Sequence, residues 1–267
     1  LSAESPPRHT FVVPAYGDSP YLDACLESLA AQSVPSRVLV TTSTPSAFLA
    51  NCCARRAVEL RVRSGAPGIA ADWNYALEQV PSGPLTIAHQ DDVYDPRYTE
   101  ACLAMAARRP AFSMVFTDYR EIEGERPRRR NRLLRVKRAL IELAFFPGLS
   151  VIGSRFRKRL LLRFGNPVIC PSVMLQRERP AGFQFRDGLS INLDWQAWLA
   201  LAELPGEFCF LRAPLVARRI HPGSETTAGL REQRRQDEDR EVFERLWPRW
   251  VARCILWLYR ASYSSNG

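Results

Sequence analysis

Apolar and polar positions along this chain follow two rhythms. Thr10-Phe11-Val12-Val13-Pro14, Arg37 to Thr42, the weaker Leu60 to Arg63, and the apolar run from Leu85 that ends at Asp91-Asp92 read as short strands. Between them the spacing turns helical. Ser19-Pro20 caps a helix with Leu22, Cys25, Leu26 and Leu29 on one stripe, Pro45-Ser46 opens another through Arg55, and the turn Gly65-Ala66-Pro67-Gly68 leads into a third from Ile69 to about Gln79. Strands alternating with helices at short intervals predict βαβ units and a mostly parallel sheet, with ligands beyond the carboxyl ends of the strands.

The same rhythm continues. Asp95-Pro96 reads as the cap and first position of a helix from Arg97 to Arg109, followed by a strand from Ser113 to Tyr119. After residue 165 come a strand near Ser172 to Gln176, a helix from Asp194 with Trp195, Trp198, Leu199 and Ala202 on its apolar face, and short strands at Glu207 to Leu211 and Leu215 to Arg219. The loop His221-Pro222-Gly223-Ser224 precedes a charged helix from Arg231 to Leu246. A last helix, Pro248 to Tyr259, carries Trp247, Trp250, Val251, Cys254, Ile255 and Leu258 along one side, with Arg249, Arg253 and Arg260 elsewhere.

Composition changes the picture in one place. With 46% hydrophobic residues the chain can bury a sizeable core, and its net charge of +9 is concentrated. Between Arg126 and Phe164 lie thirteen basic residues and one acid, Glu142, which is +12 and leaves −3 for the rest. Here Leu133, Val136, Leu140, Leu143 and Ala144 share one helical face, and Arg132, Arg135, Arg138 and Glu142 another. The seven cysteines lack metal-ligand spacing and sit mostly in apolar patterns, which points to a reducing compartment. No run reaches the ~20 apolar residues needed to span a bilayer, so a soluble or peripheral protein is expected.

Two adjacent carboxylates at a strand end repel unless a cation is shared, and a hard divalent metal with bound phosphate is one resolution; solvated loop acids are the other. On the residues alone Asp194 reads as an acid favouring its helix N-terminus through the dipole, and His221 as a turn residue.

Val13-Pro14-Ala15-Tyr16, Gly68 to Leu77 (Gly-Ile-Ala-Ala-Asp-Trp-Asn-Tyr-Ala-Leu), His89-Gln90-Asp91-Asp92, Asn192-Leu193-Asp194-Trp195 and Arg219-Ile220-His221 together resemble family 2 glycosyltransferases of the GT-A fold, of the bacterial surface-polysaccharide type. The resemblance spans most of residues 10 to 225. It implies a Rossmann-like α/β sheet, a nucleotide-sugar donor, a divalent metal (Mn²⁺ or Mg²⁺) and inversion at the anomeric carbon. By position it makes Asp92 and His221 metal ligands, Asp194 the general base, and Pro14, Ala15, Tyr16, Thr42, Asn74 and Asp91 donor-binding residues. Three departures stand out. Val40-Thr41-Thr42-Ser43-Thr44 puts hydroxyls where relatives have an acid near the base, His89 stands where the metal motif has its first acid, and Leu193 precedes Asp194 where many have Glu.

The expected organisation is a nucleotide-sugar-binding part (1–125), a basic helical insertion (126–164), an acceptor-side part (165–225) and C-terminal helices (226–267). The acceptor expected is a glycan or a lipid-linked molecule. A basic helix with an apolar stripe suits an anionic membrane surface, so residues 126–164 and 247–260 are expected to make peripheral contact, at the cytoplasmic face of the cell membrane. The rival is that both stripes pack on protein. Nucleic acid ranks below both, because no binding motif accompanies the charge. Two other functions remain open at this point: a metal-dependent phosphohydrolase or nucleotidyltransferase using Asp91 and Asp92, and a non-catalytic basic adaptor.

Overall fold

The computed structural model describes residues 9–128, 132–178, 182–189, 191–221 and 230–263. Leu1 to Arg8, Arg129 and Arg130 of the basic run, and Pro222-Gly223-Ser224 of the predicted loop lie outside the described residues. In chain order the elements are β1 (Thr10–Ala15), α1 (Leu22–Ala30), β2 (Arg37–Thr42), α2 (Ala47–Arg55), β3 (Glu59–Val62), α3 (Ile69–Glu78), β4 (Pro84–Ile87), β5 (Val93–Tyr94), α4 (Tyr98–Arg108) and β6 (Phe112–Glu123). There follow β7 (Arg126–Pro127), α5 (Arg132–Ala144), β8 (Val151–Ile152), α6 (Arg155–Leu162), a 3₁₀ turn (Cys170–Ser172), β9 (Val173–Gln176), α7 (Leu193–Glu203), β10 (Glu207–Ile220), α8 (Leu230–Leu246) and α9 (Arg249–Tyr263).

The sheet runs β3-β2-β1-β4-β9-β6-β10-β5. Its first four strands are parallel, as are β6 and β10, and β9 enters antiparallel between β4 and β6. The β1 run lacks a polar face because both of its faces are covered. Val12 belongs to the core cluster shared with α3 and α7, while Phe11 and Val13 belong to the cluster shared with α1, α2 and α4. Strands buried this way can expose polar groups only at their ends, which is where the chemistry must sit.

Several boundaries differ from the sequence expectation. Helix α1 starts three residues after Ser19, whose Oγ instead accepts from Tyr21 N at 3.3 Å. Likewise α4 starts at Tyr98, and Asp95 Oδ1 accepts from Arg97 N at 3.0 Å in a local turn rather than capping the helix at Pro96. The two late strands are one strand, β10, whose register against β6 shifts on either side of Pro214, a residue with no N–H for the ladder.

The two predicted apolar stripes turn inward only in part, through Ala144 on α5 and through Trp247 and Ile255 at the C-terminal helix. On α5 the residues buried against the sheet are Ile141 and Ala144, followed by Phe145, whereas Val136 and Leu143 are 55% and 52% exposed. On α9 Ala252 is buried and Ile255 and Leu256 pack beside it, while Trp250 (72% exposed) and Cys254 face outward. The other six cysteines are buried free thiols. Among the described residues no helix is long and apolar enough to cross a membrane.

Candidate active site

The carboxyl ends of β1 and β4 meet the C-terminal end of β10 at one wall of a cleft of about 1410 Å³. After β4 the chain leaves the sheet at Ala88 and turns tightly, Asp92 N donating to His89 O at 3.2 Å, so three polar side chains, His89, Asp91 and Asp92, are presented together. One ligand atom from each lies within 4.8 Å of the others. Gln90, between them, fixes this turn to the end of β1. Its Nε2 donates to Tyr16 O at 3.0 Å and its Oε1 accepts from Tyr16 N at 3.2 Å. Tyr16 itself is 60% exposed and borders the cleft with Pro14 and Ala15.

Asp92 is buried to 2% exposure. Its Oδ1 accepts from Arg219 N at 2.9 Å, but Oδ2 has no hydrogen-bond partner, and neither has Nε2 of His89. An unpartnered carboxylate oxygen in such a place is costly as an anion. Burial, reinforced by the charge of Asp91, therefore pushes the Asp92 carboxyl well above the ordinary range. Burial moves His89 the other way, down to about 4, so its imidazole is neutral at neutral pH and able to act as a ligand. A divalent cation would reverse the cost at Asp92. Two carboxylates and an imidazole are donors suited to Mn²⁺ or Mg²⁺, and the orphaned oxygen of Asp92 is the feature that such an ion fits.

His221 stands at the edge of this cluster, in the same cleft. Its Nε2 lies 3.0 Å from Asp91 Oδ2 and its ring lies tilted against Tyr21, 4.8 Å between ring centres, so it contacts the cluster through Asp91. Arg219, at the same strand end, donates through Nε to Asp91 O at 3.0 Å and through Nη1 to Gly124 O, with its guanidinium 4.6 Å from the Tyr21 ring. It is the scaffold of the acid turn, and only its place in the Arg-Ile-His string hinted at that.

Thr42 and Asn74 are not brought to the cleft. Thr42 is buried, and its Oγ1 accepts from Thr44 N at 3.0 Å within the turn after β2. Asn74 has both amide atoms committed to Phe185: Nδ2 donates to its carbonyl at 2.9 Å, and Oδ1 accepts from its N–H at 2.7 Å. It is the start of α3, at Gly68 and Ile69, that lines the cleft. Asp72 lies there too, its carboxylate accepting from Arg63 Nε at 2.8 Å and from Ser43 Oγ at 2.9 Å.

The opposite wall is formed by the N-terminal turn of α7, where Asp194 is half-buried and accepts from Trp195 N at 2.7 Å. Burial raises its carboxyl to about 6 against the opposing pull of the Trp195 N–H, Lys137, Arg218 and Asn166. Lys137 comes from α5, so the basic insertion reaches into the cleft. The buried Cys170 thiol is raised by burial and then by the charges of Asp194 and Asp92, so acids from both walls act on one side chain.

A family model described as "Glycosyltransferase like family 2" matches residues 6–238, leaving α9 and all of α8 after Glu238 beyond it. No curated protein sequence matches significantly. Among solved structures the chain is similar to Staphylococcus aureus TarS 1-349 in complex with UDP-GlcNAc, with a TM-score of 0.66, 14% identity, and coverage of 93% of this chain and 70% of that one. Against a further crystal structure of Staphylococcus aureus TarS 1-349 the TM-score is 0.60 at 14% identity, over 79% of this chain and 60% of that chain, which is less than two thirds of its length. The mannosyltransferase PcManGT from Pyrobaculum calidifontis in complex with GDP-Man and Mn²⁺ aligns with a TM-score of 0.64 and 15% identity over 98% of this chain and 73% of that one. Glucosyl-3-phosphoglycerate synthase from Mycobacterium tuberculosis, with Mn²⁺, UDP and glucosyl-3-phosphoglycerate, aligns at 0.51 and 11% identity over 80% and 72%. At these identities the likeness speaks for a GT-A fold.

Proposed function

The chain belongs to the glycosyltransferase-like family 2, and from that premise we propose that it transfers a sugar, with inversion, from a nucleoside-diphosphate donor to a hydroxyl of a glycan or lipid-linked acceptor. The observation that carries this reading is the orphaned, buried Oδ2 of Asp92, set among His89 and Asp91 in the cleft that also holds Asp194. His89, Asp91 and Asp92 would hold Mn²⁺ or Mg²⁺, with His221 steadying Asp91. When bound, the ion neutralises the charge that grows on the departing diphosphate.

The chain's own residues do the rest. Pro14, Ala15 and Tyr16, tied to the acid turn by Gln90, border the donor. Asp194 accepts the proton of the acceptor hydroxyl as its oxygen bonds to the anomeric carbon, and the electron pair of the breaking carbon–oxygen bond leaves with the nucleoside diphosphate. A carboxyl raised to about 6 suits a general base near neutral pH, because it is ionised there yet basic enough to take a proton.

The acceptor side extends to the protein surface. We infer peripheral contact with an anionic membrane, at its cytoplasmic face, through the exposed Val136, Leu143, Phe146 and Phe156 of the insertion and Trp250 and Trp257 of α9.

A thermal-shift screen of nucleotide sugars with and without Mn²⁺ tests the donor assignment. A true donor at 100 times its Kd stabilises the folded state by about 2.7 kcal/mol. The expected outcome is a shift that needs both Mn²⁺ and one class of nucleotide sugar and disappears in Asp92→Ala. A shift that survives Asp92→Ala, or a product that is free sugar phosphate with no glycoside formed when acceptors are supplied, overturns the proposal.

A further inference from the structure

Helix α8 reads in the sequence as a solvated run, Arg-Glu-Gln-Arg-Arg-Gln-Asp-Glu-Asp-Arg, yet two of its acids are buried: Glu238 at 6% exposure and Asp239 at 2%. Helical spacing puts them on one face with Val242 and Phe243, both fully buried. That face lies against the entry to α7, the segment that carries Asp194. Glu238 Oε2 accepts from Ile191 N at 3.0 Å and from Asn192 N at 2.8 Å, and Asp239 Oδ1 accepts from Asn192 Nδ2 at 2.6 Å. Below them the Trp195 and Phe243 rings meet edge to face at 5.0 Å, and Arg245 Nη1 donates to Gln196 Oε1.

The local reason for this arrangement is that α7 has no cap of its own. Asn192 is its N-cap residue, and its side chain makes no capping bond. The N–H groups entering the helix would otherwise lack acceptors in a buried place. A carboxylate from α8 supplies them, on the side where the helix dipole favours negative charge. Glu238 and Asp239 also line the cleft with Asn192 and Asp194, so the same contact that completes the helix end fixes the wall from which Asp194 projects.

We propose that Glu238 and Asp239 are positioning residues for Asp194: α8 clamps residues 191–192 and thereby sets the place of the general base relative to the acceptor hydroxyl. This rests on the assignment of Asp194 in the preceding subsection. A catalytic group displaced by about an ångström loses up to about 10²-fold in rate without any loss of donor binding.

The test measures nucleoside diphosphate released, with water as acceptor, from the nucleotide sugar selected by the thermal-shift screen, in the full chain with Mn²⁺. Glu238→Asp retracts the accepting oxygen by one methylene while keeping its charge, Glu238→Ala removes it, and Glu238→Gln keeps an oxygen in place. The first two are expected to lower kcat about 10–10²-fold with donor KM and the donor-induced thermal shift unchanged, and Glu238→Gln to recover most of the rate. In an Asp194→Asn background, Glu238→Asp should cost nothing further, because the group it positions is already gone. An equal loss in both backgrounds, or full kcat in Glu238→Asp and Glu238→Ala, overturns the clamp while leaving Asp194 as the base. Full kcat in Asp194→Asn removes the base assignment and the clamp with it. Should Glu238→Ala fail to fold, Glu238→Asp against Glu238→Gln carries the comparison alone.

Discussion

The acid turn after β4 and the basic insertion use charge in opposite ways. Around Asp92 two carboxylates are adjacent and one oxygen is left without a hydrogen-bond partner, with the His89 ring nitrogen 4.0 Å away. In the insertion, which holds most of the chain's net charge, the described cations are largely matched from within. Arg138 pairs with Asp118 at 2.8 Å, Arg155 and Arg159 both reach Glu203, and Arg128 lies 3.8 Å from Glu121. Arg157 donates to the carbonyls of Ala144 and Phe146, Lys158 to those of Leu204 and Gly206, and Arg163 stacks at 3.6 Å on Trp247. The most charged stretch of sequence is mainly internal wiring, while the functional signal is a buried carboxylate oxygen, Asp92 Oδ2, with no hydrogen-bond partner beside an equally unpartnered His89 Nε2. Amount of charge and lack of compensation are different quantities, and the ligand-site reading rests on the second, where it coincides with clustered acids at a cleft.

The sharpest way to break this contrast is at the uncompensated end. Asp92→Ala removes the orphaned oxygen and is expected to abolish turnover together with the Mn²⁺-dependent thermal shift. Retention of both would mean that the turn holds no cation. Asp194→Asn comes next, with an expected loss of roughly 10²–10⁴-fold in kcat and donor binding preserved. Wild-type kcat should fall as pH drops through about 6, where Asp194 takes up its proton.

The same raised carboxyl predicts a stability effect of the opposite sign. Its folded value, about 6, lies above the ordinary aspartate value of 3.8, so between those limits the folded state holds a proton that the unfolded state has lost. Stability attributable to this group therefore falls as pH rises from about 4 to 6 and stays low above that. Asparagine has no such slope. The melting temperature of Asp194→Asn should match wild type near pH 4 and exceed it at pH 7 to 8; a wild-type advantage at pH 8 would mean that the ionised carboxylate is stabilised by its surroundings after all.

Much of the N-terminal half was legible in the sequence because its strands have two covered faces and its helices one apolar stripe, patterns that do not depend on distant partners. Asp91 and Asp92 were legible for the same reason, as acids at the end of an apolar run. Legibility failed where a side chain's partner came from elsewhere. Asn74 has the right place on α3, but Phe185 takes both of its amide atoms. Glu238 looks solvated until α7 is set beside it. On α9, apolar residues occupy more than one face, and periodicity alone does not say that Ala252 rather than Trp250 turns inward.

At the compensated end, losses should appear in stability and not in chemistry. Lys158 is 1% exposed, and its Nζ donates to Leu204 O at 2.5 Å and Gly206 O at 3.2 Å, closing the end of α7 onto β10. Burial lowers its pKa, so the charge itself is held at a cost that methionine would relieve. Lys158→Met would leave the part-buried carbonyls of Leu204 and Gly206 without this donor, at up to ~1–3 kcal/mol each before that relief. A net loss of about 1–2 kcal/mol in urea unfolding, with kcat and the donor-induced shift unchanged, is the expected result. A fall in kcat as large as that of Asp194→Asn would show that the insertion takes part in catalysis as a whole.

The smallest effect concerns the membrane, and the wiring of the insertion decides its form. Were free arginines the basis of contact, vesicle binding would depend mainly on salt, at about 1 kcal/mol for each basic residue near the surface. With so many of them engaged internally, the exposed aromatics must contribute more. Phe146 is 68% exposed and Phe156 71%, and burying such a side chain fully is worth ~1.5–3 kcal/mol. Co-sedimentation with vesicles containing phosphatidylglycerol should therefore weaken about tenfold, equivalent to ~1.4 kcal/mol, in a Phe146→Ser, Phe156→Ser double variant, and less than that when salt is raised fivefold. Turnover of donor with a soluble acceptor should not change. Binding that is lost with salt yet indifferent to the two phenylalanines would return the contact to cations, and no binding by the wild type would confine the stripe to contacts with protein.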